Sequence, residues 1–143
     1  MRILTDANVL FAAAIGAQGR SALLFLLAEQ GWCELLASPH AVAEARRNLE
    51  ARYPDAVGRL EHLLRIASVV SEAPSSAVLW ARRQGLPEED APILAAATTA
   101  RADVLVTGDR KHFGPFFNRA VGSVKVLSLA DTLNLLLKGK RRR

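Results

Sequence analysis

The segments of this chain that read as strands are short apolar runs without polar alternation, clearest at VLVT (104–107). RILT (2–5), CELLA (33–37), ASVVS (67–71) and VKVLS (124–128) complete the set. A strand that is apolar on both sides has to be covered on both faces, and parallel neighbours need long crossovers, usually helical. Helical patterns fill the gaps: 8–14, 20–30, 39–53, 55–65, 75–84, the alanine-rich stretch ending near Arg101, and 129–137. Ser38 and Pro39 open one of them as N-cap and first-turn proline, and Pro54 and Gly85 punctuate two others. Strands alternating with helices predict an α/β fold: three layers, α/β/α, Rossmann-like, with a central parallel sheet.

The chain has 143 residues, half of them apolar, enough for one well-buried domain. No repeat or linker divides it, so a single domain is expected over 1–137, followed by a basic tail over 138–143. That tail, KGKRRR, holds five of the nineteen basic residues, and without it fourteen basic residues face fourteen acidic ones. The net charge of +5 therefore does not make the folded surface basic. Cys33 is the only cysteine, which excludes an internal disulfide, and no CxxC or paired His/Cys spacing suggests zinc. No run approaches the roughly 18 apolar residues of a membrane span. Arg2 ahead of VLFAAAIGA imitates a secretory signal, but Asp6 and Asn8 interrupt it. A cytoplasmic protein with no membrane partner is the expectation.

Two of the strands end in the same way: RILT is followed by Asp6, and VLVT (ending at Thr107) by Gly108 and Asp109. In open parallel sheets, ligands bind beyond the carboxyl ends of the strands. If the two strands are neighbours, the carboxylates converge there, and their repulsion calls for a cation or a shared proton. Taken alone, either aspartate is equally at home as a turn residue or a helix cap. Asp90 stands three and four residues before Ile93 and Leu94, on the face of the apolar stripe, where it either caps a helix or lines a pocket edge. Glu88 and Glu89 read as solvated charge favoured by the helix dipole. Periodicity does not single out Glu44, which flanks the stripe of Val42, Ala45 and Leu49 and sits at pairing distance from Arg47. Trp32 and Trp80 read as core or interface, and His40 and His62 show no partner.

The motifs ILTDANVL, SPHAVAEARRNL, LPEEDAPILAAA and VLVTGDRKHF, in that order, resemble a PIN domain, and among PIN domains the VapC-like ribonuclease toxins of toxin–antitoxin pairs. The resemblance covers nearly the whole chain. It implies that Asp6, Glu44, Asp90 and Asp109 are the four site acids, and it alone raises Glu44 above Glu34 and Glu50. Asn8 matches the polar residue after the first acid, and Thr107 the threonine before the last. The implied activity is metal-assisted hydrolysis of RNA phosphodiesters, leaving 5′-phosphate and 3′-hydroxyl ends. Asp6, Asp90 and Asp109 would be the ligands, and Glu44 would complete the acidic pocket.

Carboxylates suit Mg²⁺ or Mn²⁺, which keep waters and bind substrate phosphates. Thr107 and Asn8 would orient the acids by hydrogen bonding. Arg110, Lys111 and His112 follow Asp109 directly and are candidates for the RNA backbone. A cognate antitoxin and a homodimer are the protein partners implied, with ALLFLLA (22–28) as apolar surface for either. Two alternatives stand beside this. A haloacid-dehalogenase-like phosphatase would need an acid two residues after the first, where this chain has Asn8, and another four after Asp109, where it has Phe113. A non-catalytic PIN module that binds RNA or protein would be expected to have lost some of the acids.

Overall fold

A computed structural model describes residues 1–108 and 113–141. Its elements, in chain order, are β1 (Arg2–Thr5), α1 (Ala7–Ile15), α2 (Arg20–Glu29), β2 (Glu34–Ala37), α3 (Pro39–Arg52) and α4 (Val57–Leu63). β3 (Ser68–Val69), α5 (Ser75–Arg82), α6 (Ala91–Thr99), β4 (Val104–Val106), β5 (Arg119–Val121), β6 (Val124–Leu127) and α7 (Leu129–Arg141) follow. Short 3-10 turns precede α4 and α6 at Pro54–Ala56 and Glu88–Asp90.

The strands form one sheet in the order β3-β2-β1-β4-β6-β5. Every pairing is parallel except β5 with β6. Both sheet faces are apolar, as the unalternated strands require. Ile3, Leu35, Val104 and Val106 point to one side and pack with α1, α2, α3, α4 and α7. Leu4, Leu36, Leu105 and Val126 point to the other and pack with α5 and α6. The three-layer α/β/α arrangement expected from sequence is the observed one.

Local chemistry sets the entries to the helices. Ser38 Oγ accepts the Ala41 N–H at 3.1 Å, and Pro39 occupies the first turn, where its missing N–H costs nothing. At the amino edge of the sheet, the Arg2 guanidinium donates to the Ala100 carbonyl and pairs with Glu34 at 3.0 Å. At the far end of α3, the Arg52 guanidinium lies 5.4 Å from the Phe11 ring centre and 5.5 Å from that of Tyr53.

Several boundaries differ from the sequence reading. β3 shrinks to two exposed residues because it is the sheet's edge, with a partner on one side alone. β2 begins at Glu34, leaving Cys33 half-buried just before it, and burial pushes the Cys33 thiol above its ordinary pKa. The last helix continues past Leu137 to Arg141. β5 was not anticipated. Its turn into β6 depends on Gly122, at φ 63°, where an added Cβ would lie 3.2 Å from the Trp80 ring. Trp32 and Trp80 pack at the edges of the two cores. Among the described residues no single helix is long and apolar enough to cross a membrane, and α1 and α2 together bend by 94°.

Two glycines should therefore respond oppositely to alanine. Gly122→Ala, strained by its φ and crowded by Trp80, should lose about 1–2 kcal/mol in urea unfolding. Gly58→Ala, inside α4 with nothing within 4 Å of the new methyl, should gain up to about 1 kcal/mol.

Candidate active site

β1 and β4 lie side by side, and the strand order reverses between them: β2 and β3 extend one way, β6 and β5 the other. Crossover connections diverge at such a point and leave a crevice above the strands' carboxyl ends. Asp6 stands on one lip and Thr107 on the other. The Asp6 N–H donates to the Val106 carbonyl at 3.2 Å, carrying the ladder one residue past β1.

The Asp6 side chain is 6% exposed, and three donors among the described residues help to compensate its burial. Oδ1 accepts the Val9 N–H at 2.9 Å, capping α1. Oδ2 accepts the Thr107 hydroxyl at 2.6 Å and the Gly108 N–H at 3.3 Å. Helix cap and site acid are thus one residue: the capping interpretation of Asp6 holds, and the carboxylate still faces the crevice. Thr107 is wholly buried, and its hydroxyl fixes the orientation of Asp6.

A cavity of about 240 Å³ occupies the crevice. Asp6, Asn8, His40, Glu44, Glu89 and Asp90 line it, with Thr107 and Phe113 among the remaining walls. Asn8 is exposed in the first turn of α1 and Glu44 exposed in the second turn of α3. Asp90 is half-buried at the N-cap position of α6, yet its side chain makes no capping hydrogen bond. The bland explanation for Glu44, a pair with Arg47, is not realised among the described residues, where the ion pairs are Arg2–Glu34, Arg46–Glu61 and Arg82–Glu88. The structure thus brings Asp6, Asn8, Glu44, Asp90 and Thr107 to one cavity. Asp109, Arg110, Lys111 and His112 lie outside the described residues.

Two cavity residues were passed over in the sequence. Glu89 faces the cavity rather than serving only as solvated charge. His40 stands four residues before Glu44 on α3, a spacing that puts both on one helix face. Four carboxylates around one small cavity repel one another, and a hard divalent cation with oxygen ligands is the counter-charge that suits them. Among the described residues, no three histidine, cysteine or acidic side chains are close enough to hold an ion by themselves.

The PIN-domain family model matches residues 2–111, which span β1 through the end of β4 and include every acid of the cavity. The chain belongs to the PIN-domain family. It is a family of nucleases, and the acid-lined crevice is this PIN domain's candidate for that chemistry. No curated protein matches the chain in sequence.

Solved structures share the fold at low identity. PAE2754 from Pyrobaculum aerophilum superposes with a TM-score of 0.68 at 21% identity, covering 96% of this chain and 96% of its own. VapBC2 from Rickettsia felis, bound to a DNA fragment from its promoter, gives 0.69 at 16%, covering 90% and 98%. FitAcB from Neisseria gonorrhoeae gives 0.60 at 19%, covering 90% and 98%.

If the Thr107 hydroxyl fixes Asp6, Thr107→Val leaves a buried carboxylate oxygen short of its best donor. It should cost about 1–3 kcal/mol in urea unfolding, and Thr107→Ser should recover most of that.

Proposed function

We propose that this PIN domain is a Mg²⁺- or Mn²⁺-dependent endoribonuclease that acts in the cytoplasm as the toxin of a toxin–antitoxin pair. The observation that carries the proposal is the Thr107–Asp6 hydrogen bond at the sheet's switch point. It spends a buried hydroxyl on aiming a carboxylate into a cavity already rich in carboxylates.

Asp6, Asp90 and Asp109 are the proposed ligands, and the hard oxygen donors of the cavity fit such an ion. A bound divalent ion would supply an activated water and neutralise charge building on the phosphate. The chain's residues do the rest. Thr107 and the Gly108 N–H hold Asp6 in one orientation, and Val9 fixes its other oxygen. Glu44 and Asn8 face the cavity from α3 and α1, placed to orient water and the phosphate. Arg110, Lys111 and His112 would offset the repulsion between the acids and the RNA backbone. The cut would leave a 5′-phosphate and a 3′-hydroxyl.

The antitoxin part has separate support. The similar structures VapBC2 and FitAcB are named as two-component assemblies. In this chain, a groove of about 460 Å³ runs between α2 and α4, with Leu23 and Leu26 on its wall. Those two leucines are 39% and 48% exposed, apolar surface that an antitoxin segment would cover, or that a second copy would cover in a homodimer.

Metal-free protein should leave single-stranded RNA intact, and added Mn²⁺ or Mg²⁺ should start cleavage that a chelator stops. Asp6→Asn, Asp90→Asn and Asp109→Asn should each lower the rate by at least about a hundredfold. Asp6→Asn keeps the cap on α1 but turns an amide nitrogen towards the Thr107 and Gly108 donors, so its folding is checked by urea unfolding beside the activity. Protein that binds RNA yet never cuts it under Mn²⁺ would be a non-catalytic module instead.

A further inference from the structure

His40 borders two cavities. On one side is the acidic crevice, and on the other a cleft of about 280 Å³. The first turn of α6 forms the same divide, with Asp90 and Ile93 facing the crevice while Pro92 and Ala96 face the cleft. The cleft has apolar walls from Pro39, Val78, Pro92 and Ala96, and polar groups at its rim from His40 and Glu72. Glu72 is exposed on the loop after β3 and makes no hydrogen bond or ion pair with another described residue.

Apolar walls with a polar rim, in a cleft of this size, suit a nucleobase whose edge carries hydrogen-bonding groups. A strand whose phosphate sits among the acids has its nearest base one ribose away, and this cleft adjoins that cavity directly. Resting on the RNA-cleaving reading above, we propose that the cleft is the subsite for the nucleobase next to the cut phosphate. In it the His40 imidazole is a stacking surface and Glu72 a hydrogen-bond acceptor. An ionised carboxylate only accepts, so it selects a base that presents an exocyclic amino group, such as cytosine or adenine. Uracil offers carbonyl oxygens at those positions and is disfavoured. The cleft thus sets the cleavage preference at one position beside the cut.

The test compares kcat/KM under Mn²⁺ for short single-stranded RNAs that differ only at the bases flanking the cut. Cytosine or adenine at one flanking position should be preferred over uracil by about tenfold. Glu72→Gln, which can donate as well as accept, and Val78→Trp, which fills the cleft, should both bring that ratio towards equality. Leu79→Ser, on the exposed side of α5, should keep it. A preference for uracil, or an unchanged ratio in both cleft variants, overturns the proposal.

A measurement without turnover separates it from the nuclease reading. Cytidine, which has no phosphate for the neighbouring acids to repel, titrated into metal-free full-length protein should shift the Val78 methyl and His40 imidazole NMR signals. Uridine should shift them far less. If neither nucleoside moves them, the subsite is wrong even in an active nuclease. If the cytidine shifts appear in a protein that never cuts RNA, the nuclease reading fails and the base subsite stands.

Discussion

A single hydrogen bond, from the buried Thr107 hydroxyl to Asp6 Oδ2, ties together the two strands on which the site depends. It joins the ends of β1 and β4 at the place where the strand order reverses. Without it, a nearly buried carboxylate would lack its shortest contact and the first turn of α1 would lose a fixed cap. The sheet's topology creates the crevice, and this contact gives it a defined floor.

Above that floor, the other polar groups are held to very different degrees. Asp6 is gripped by three donors, whereas Glu44 and Asn8 project from exposed helix turns. Asp90 lies between these extremes, half-buried at the start of α6. A firmly held acid beside exposed ones suits a site whose ligand brings charge of its own, because exposed side chains have room to adjust as the charge balance changes. The two helical layers contribute from opposite faces of the sheet, Glu44 from α3 and Asp90 from α6.

Much of this was legible in the residues. Apolar strands alternating with helices specified covered faces and a parallel sheet, and the repeated strand–threonine–acid ending marked the carboxyl edge before any resemblance was invoked. Glu44 was different: its position flanking an apolar stripe is shared by many solvated glutamates, and family resemblance alone singled it out. His40 went unassigned because a lone histidine near a helix start carries no pattern, and its position is defined by α6, about fifty residues away in the chain. β5 was missed for a similar reason. Arg119, Ala120 and Val121 have no strand signature of their own, and β6 supplies the pairing that makes them one.

The double employment of Asp6 has a consequence for how such a chain would age if its activity were no longer selected. Glu44 and Asn8 contribute nothing visible to folding, so substitutions there would accumulate freely. Asp6 would persist, kept by the helix it caps and the threonine it receives. An aspartate retained at this strand end in a distant descendant would testify to architecture, and the fate of the exposed glutamate would be the better witness to catalysis.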